Sequence, residues 1–322
     1  MALHVLEPKR ATLHGQFSRD LAPALTITSG DVVRCRTLGV SWGLESRRPN
    51  WSPRQTFGPR ETPRDAGPCL LGPIAIHGAQ PEHVLEVHLD AIIPGSYGWT
   101  FAGEIGFFNT ALNRALGVAD GEAHLMRWSL DPIAMVGTNH MGYRVSLRPF
   151  LGTLGLCPAD EGGISAWPPR RTGGNLDCKE LVSGTVLYVP VEVDGALVSL
   201  GDWHAAQGDG EASGTAIECP MDQIDLRFIL RDDLQLDTIR AKTSTGWVTF
   251  GFSETLDDAI VFALLVNVQH SSQELSTCRH QYTTMGAGFA RSATRRAVKS
   301  LPRRCSIITK LETWSGQPMP AA

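Results

Sequence analysis

No apolar run in the 322-residue chain is long enough to cross a membrane as a helix. The longest, AIVFALLVNV (Ala259 to Val268), has about half the required length. The opening MALHVLEPKRATLHG lacks the unbroken apolar stretch of a secretory signal. The seven cysteines are odd in number, scattered and never spaced CxxC. That pattern argues against a zinc ribbon or a disulfide framework, and reduced thiols in a cytoplasmic protein are expected. Net charge is −4 and the pI about 6.2, with no Lys/Arg stripe interleaved with aromatics, so no nucleic-acid partner is expected. The one local basic run, Arg291 to Arg304, reads as solvated surface or a subunit contact. No repeat of fixed period is present.

Hydrophobic residues make up 42% of the chain, enough for a sizeable core, and they are patterned mostly as strands. Pro23 to Leu38 offers two β-rich runs around Ser-Gly-Asp. In HVLEVHLDAII (His83 to Ile93), Leu85, Val87 and Leu89 alternate with Glu86 and His88. Two apolar runs flank Asp194-Gly195, which predicts a hairpin with a type I′ turn. Further strands are expected at Gly214 to Glu218, Ile224 to Leu230, Thr238 to Lys242 and Trp247 to Phe252. A helix starting at Thr255 has a near capping box with Asp258 and is apolar nearly all round, which predicts burial against a sheet. Shorter helices are expected near Phe107 to Leu116 and around Ala290 to Lys299. Arg47 to Pro73 and Pro158 to Asp177 are Pro/Gly-rich loops. The fold class is therefore mainly β, a β-sandwich-like core with a smaller α+β C-terminal portion. It is expected as one unit over residues 1–322, with a possible subdivision into 1–235 and 236–322.

The segment GDWHAAQGDGE (Gly201 to Glu211) concentrates acids, a histidine and glycines. By strand alternation Asp202 and His204 share one side, and Asp209 and Glu211 repeat the spacing. One imidazole with several carboxylates suits Zn²⁺, or Ca²⁺ if more oxygens join. Equally, Asp and Gly at such density can simply make a loop. TGGNLDCKEL (Thr172 to Leu181) precedes the expected hairpin, so Asp177 and this segment can meet at one end of it.

GPCLLGPIAIHGAQPEHVLEVHL (Gly67 to Leu89), RPFLGTLGLCPA, PPRRTGGNLD, LYVPVEVDGALVSLGDWHAAQGDGE and GTAIE follow one another in an order and spacing that resembles the acetamidase/formamidase family. The resemblance runs from about Pro23 to Leu275. It implies hydrolysis of the C–N bond of short linear amides, a mostly β-sandwich fold, a divalent metal, and a homodimer or higher homo-oligomer. The motif residues that carry over are Asp177, Asp202, His204, Asp209, Glu211 and Glu218. On this reading Asp177, Asp202, His204 and Glu218 hold the metal, which activates water. Glu211, with Asp209, moves the proton to the leaving nitrogen, and Asn175 with the backbone N–H groups of Gly173 and Gly174 stabilises the oxyanion. No GGSSGG segment is present, and neither Cys157 nor Cys178 has the flanking residues of a nitrilase nucleophile.

Several residues depart from the family pattern. His77 stands where an acid is expected and is a substrate-binding candidate, or else an ordinary strand-end histidine. Trp167 can wall a small pocket or anchor a subunit contact. Cys178 reads as a buried small hydrophobe and His14 as a surface histidine. The Arg47 to Gly67 stretch is long and arginine-rich, so the substrate can differ from formamide and acetamide. A larger amide, carbamoyl or ureido substrate, and a non-catalytic β-sandwich binding protein, are the competing readings.

Overall fold

Strand alternation assembles into two large sheets in the computed structural model, which describes residues 1–103, 110–117, 123–211, 214–275, 294–301 and 304–312. The first sheet has nine strands in the order Leu3–Leu6, Val32–Thr37, Met221–Arg231, Val84–Pro94, Val186–Pro190, Arg240–Thr243, Gly246–Ser253, Arg304–Glu312 and Thr294–Leu301. It takes strands from both sides of residue 235. The second has eleven, its main path running Arg144–Ser146, Val136–Asn139, His124–Asp131, Tyr97–Ala102, Glu218–Cys219, Val198–His204, Phe150–Gly155 and Gly173–Asn175. Leu70–Ile76 joins it beside Val198–His204 and carries Leu13–His14 and Leu25–Ile27.

The sheets face each other across one continuous core. Val33, Val87, Leu226 and Phe228 come from the first, and Leu71, Leu154, Leu200 and Trp203 from the second. Alternation in Val84–Pro94 is as the sequence predicts: Leu85, Val87 and Leu89 enter this core. Glu86 and His88 lie on the opposite face, where Glu86 pairs with Arg231 and with His88.

Three expectations change. The Asp194-Gly195 turn exists, with Ala196 N–H donating to Val193 O at 3.0 Å, yet its flanking strands do not pair. Val186–Pro190 belongs to one sheet and Val198–His204 to the other, so the turn passes the chain between layers. Gly195 has φ +76° while Asp194 is not left-handed, so the turn is not type I′. Thr294–Leu301 is a strand where a helix was expected around Ala290 to Lys299. Its sheet partner Arg304–Glu312 decides this, since pairing overrides weak local preference.

The helix Leu256–Leu275 is capped as expected, with Asp258 N–H donating to Thr255 Oγ1 and Thr255 Oγ1 donating to Asp258 Oδ2 at 2.6 Å. It is not buried all round. Ala259 and Ala263 press on Gly251, where a Cβ would collide with the Ala259 carbonyl, while Val261 stays 66% exposed and Leu265 52%. Over Ala259 to Leu265, one side of the helix meets the sheet. The helix expected near Phe107 to Leu116 is present over Thr110–Ala115, and residues 104–109 lie outside the described residues.

Candidate metal and catalytic site

The eleven-stranded sheet has two faces with different tasks, and register sorts residues between them. Phe150 pairs with His204, His204 with Glu218, Glu218 with Trp99, and Trp99 with Arg127. Directly opposed residues project to one side, so these five form a row on the face turned away from the core. Their neighbours Leu151, Trp203, Cys219 and Trp128 form the parallel row inside the core.

Asp202 and His204 do share a side, but not by simple alternation. Leu200 and Trp203 both enter the core although three positions apart, and so do Leu151 and Leu154 on the partner strand. The phase changes where Gly152 faces Asp202, whose φ of +52° turns the backbone left-handed. A Cβ at Gly152 would collide with the Asp202 carbonyl oxygen, so glycine there permits the kink. Asp177 and Glu211 also have positive φ, +45° and +49°. Each such conformation costs roughly 1–3 kcal/mol in a residue with a side chain, and its recurrence at three clustered carboxylates marks a site whose geometry is imposed by its surroundings.

The two acidic motifs meet through a strand not foreseen as their link. Phe150–Gly155 pairs Thr153 with Asn175 on one side and with Gly201 on the other. Thr153 Oγ1 donates to Asn175 Oδ1 at 2.7 Å and lies 3.3 Å from Asp202 Oδ2.

His204 is the centre of the cluster. Its Nε2 lies 3.5 Å from Asp202 Oδ1, 3.5 Å from Glu218 Oε2 and 3.8 Å from Asp177 Oδ1, with all four side chains buried. Phe150 closes its ring edge-on at 5.1 Å. Gln207 donates from Nε2 to the Asp177 carbonyl at 2.9 Å, which turns its Oε1 to His204 Nδ1 at 2.8 Å. Nδ1 therefore carries a hydrogen and donates to Gln207, and Nε2 is the atom presented to the carboxylates. Burial pulls the His204 pKa down, but Glu218 and Asp202 overcome it and hold the net value well above that of an ordinary histidine. Glu211 has a ligating oxygen within 4.8 Å of His204 and Glu218 donor atoms. Burial, together with Glu218 and Asp202, pushes its carboxyl up to about 8 against the opposing pull of His204.

Asp177, Asp202 and His204 bring one donor atom each within 4.8 Å of one another, a set that fits a divalent metal, and His204, Glu211 and Glu218 form a second such group. The Gln207 hydrogen bond to the remote ring nitrogen is the usual support for a ligating histidine.

The other residues singled out by the sequence lie as follows. Asp209 is at the surface, ion-paired with Lys179 Nζ at 2.7 Å, because the glycines around it carry the loop outward. The Gly173 N–H donates to the Arg170 carbonyl at 2.9 Å and is spent in that turn, not offered to an oxyanion. His77 is exposed in the turn after Leu70–Ile76, past the Val198 end of a strand whose other end is His204. Trp167 is 38% exposed in the loop before Gly174, near Gly67. His14 is buried rather than on the surface, with Nδ1 at 2.7 Å from Gln16 O and Nε2 at 3.1 Å from Ser199 Oγ. Cys178 is fully buried, as its sequence context predicts.

The acetamidase/formamidase family model matches residues 159–256, a span containing Asp177, Asp202, His204, Asp209, Glu211 and Glu218. Over that span the chain is similar to the acetamidase/formamidase family. Over 104 residues it is 36% identical to an acetamidase of Mycolicibacterium smegmatis, covering 30% of this chain and 26% of that protein. Over 192 residues it is 29% identical to a putative formamidase of Schizosaccharomyces pombe, covering 45% and 47%. The matched stretches thus span less than half of these relatives' own lengths. A solved structure of a predicted acetamidase/formamidase from Thermoanaerobacter tengcongensis shares the fold, with TM-score 0.77, 23% identity and 96% of each chain covered. A gamma lactamase from Delftia acidovorans shares it more distantly, at TM-score 0.59 and 16% identity over 99% and 95% of the two chains. Thr153, Gly152 and the arginine-rich loop all lie outside the matched span.

Thr153 and Gly152 were missed as site residues because their role depends on strand pairing. Gln207 was visible within GDWHAAQGDGE, three residues from His204, but nothing local says which atoms it bridges.

Proposed function

We propose that the protein is an amidohydrolase that cleaves the C–N bond of a linear amide to a carboxylate and ammonia. The observation that carries this reading is the His204 Nε2 atom ringed by Asp177, Asp202 and Glu218, with its other nitrogen fixed by Gln207. Asp177, Asp202, His204 and Glu218 would hold a divalent ion, with Zn²⁺ favoured by one imidazole among few carboxylates and Ca²⁺ the alternative if more oxygens join. When bound, the ion supplies a Lewis acid that polarises a carbonyl oxygen and acidifies water.

The chain's own groups do the rest. Glu211, beside His204 and Glu218, binds a proton near neutral pH and releases it to the leaving nitrogen, so that ammonia departs instead of amide anion. Asn175, oriented by Thr153 Oγ1, points to a role at the developing oxyanion. Phe150 excludes water from the imidazole. A cytoplasmic location accords with five described cysteines that are free and buried. Assembly as a homodimer or higher oligomer accords with the apolar side chains Val261, Phe262 and Leu265 left exposed on one helix.

Ammonia release from simple amides, measured before and after chelation and with metal content of the purified protein, tests the reading. Chelation should abolish release and readdition of the ion should restore it. Undiminished turnover by metal-free protein, or by His204→Ala, sinks it.

A further inference from the structure

The loop that the sequence singles out as arginine-rich lies over the same outer face as the cluster. Arg47 stacks on Trp99 at 4.7 Å and on Trp51 at 5.2 Å, and Trp51 Nε1 anchors the loop by donating to Ala123 O at 2.8 Å. Trp99 is the next position after Glu218 in the row that begins at His204. The guanidinium is therefore on the order of two side-chain positions from the buried carboxylates, about 10 Å.

Arg54 joins it. Both guanidiniums donate to the same oxygen, Ser41 Oγ, at 3.0 Å from Arg47 and 2.5 Å from Arg54. Neither has an acidic side chain within ion-pair distance among the described residues, and the Nε of each is buried without a hydrogen-bond acceptor. Glu45, on the same loop, turns its carboxylate to Arg48 and the Gln55 N–H instead. Of Glu45, Arg54 bonds the backbone carbonyl, at 2.8 Å. Burial, and then the like charge of Arg54, lowers the Arg47 pKa to about 10. Arg127, which faces Trp99 across the sheet, lines an adjoining open cleft of about 390 Å³ together with Ser46, Tyr97 and His140.

Two half-buried cations sharing one hydroxyl repel each other, and arginine forks with free N–H groups match a carboxylate in two-point contact. We propose that Arg47 and Arg54, with Arg127 behind them, form a binding site for a carboxylate on the substrate, so that the enzyme acts on amides whose far end is anionic. This rests on the amide-hydrolysis reading for its substrate half. The amide lies at the His204 end of the row, the carboxylate at the arginine end, and the Trp99 face between them supports the connecting carbons. Neutral formamide or acetamide would leave the arginine site empty.

The experiment compares kcat/KM for ammonia release from neutral aliphatic amides with monoamides of succinic, glutaric and adipic acid, in the metal-loaded protein. Wild type should favour an anionic amide by at least 100-fold. Arg54→Gln and Arg47→Gln should cut the anionic-to-neutral ratio at least 20-fold, and Arg54→Lys, which keeps the charge but not the fork, by a smaller factor. Arg60→Gln, on the same loop but stacked on Trp42 at 5.8 Å, should leave the ratio unchanged. Binding of glutarate, followed by calorimetry on the same proteins, gives a readout independent of turnover, and inorganic phosphate in parallel tests for a general anion site. An equal preference for neutral amides, a ratio unmoved by both glutamine variants, or glutarate binding unaffected by them overturns the proposal, and so does phosphate binding as tightly as glutarate. Arginine-dependent glutarate binding without hydrolysis of any amide would uphold the carboxylate site and defeat the amidase reading instead.

Discussion

The two faces of the eleven-stranded sheet are built from alternate residues of the same strands, yet they obey opposite rules. On the core face Trp203 packs with Leu151, Leu200 and Cys219 in an apolar row that stabilises by excluding water. One residue on, His204 sits among buried carboxylates that would be destabilising without a cation. The core face gathers apolar side chains, whereas the outer face gathers positive-φ carboxylate residues around one imidazole. Neighbouring residues separate stability from chemistry because the strand period is two, and the paired kink at Gly152 and Asp202 lets the acid join the outer face.

The sharpest way to break that comparison is to truncate the two neighbours in turn. Trp203→Ala should cost about 3–5 kcal/mol in urea unfolding, the usual range for a buried aromatic. His204→Ala should lower turnover by about 10³-fold or more while moving the unfolding midpoint much less. Equal stability losses for the two would show that the faces are not separated.

A pH titration of stability probes a histidine that belongs to the fold rather than the chemistry. Burial lowers the His14 pKa from 6.5 to about 4, with the charge of Arg64 adding to it and the Gln16 carbonyl opposing. Between those values the unfolded chain binds the proton and the folded chain does not, so stability is full above 6.5 and is lost as pH falls towards 4. The loss should approach about 3 kcal/mol, at 1.36 kcal/mol per unit. His14→Asn should flatten that slope in urea unfolding at pH 4.5 to 7; an unchanged slope would assign it to other groups.

Gly152→Ala should blur the two faces. Its Cβ collides with the Asp202 carbonyl, so the strand must shift, with an expected loss of about 1–3 kcal/mol and weaker metal retention. Metal retention at wild-type level would mean that the kink does not set Asp202. The smallest effect on the fold is expected from Gln207→Leu. Metal affinity measured by competition with a chelator should fall about 10–100-fold, while stability of the metal-free protein should change by about 1 kcal/mol.

Much of the fold was legible because it follows local periodicity. The alternation Leu85, Val87, Leu89 and the Thr255–Asp258 cap both appear as expected. The missing parts depend on partners distant in sequence. Strand identity at Thr294–Leu301 comes from pairing with Arg304–Glu312, and the exposed side of helix Leu256–Leu275 from how little sheet lies beneath it. The clustered residues, Asp177, Asp202, His204, Glu211 and Glu218, were legible as a set because acids and imidazole at that density are chemically unusual. Asp209 matched the same pattern and is a surface partner of Lys179, since composition does not say which way a glycine-rich loop turns.

By itself, then, the sequence determined the β-rich class, the resemblance to the acetamidase/formamidase family and the identity of the ionisable groups, all of which are written in residue type and spacing. Tertiary structure alone decided that Phe150–Gly155 joins the two motifs, that Gln207 fixes His204, and that Arg47 and Arg54 converge on Ser41 beside Trp99. Those are contacts between strands and loops brought together by register, and register is set by the burial of the opposite face.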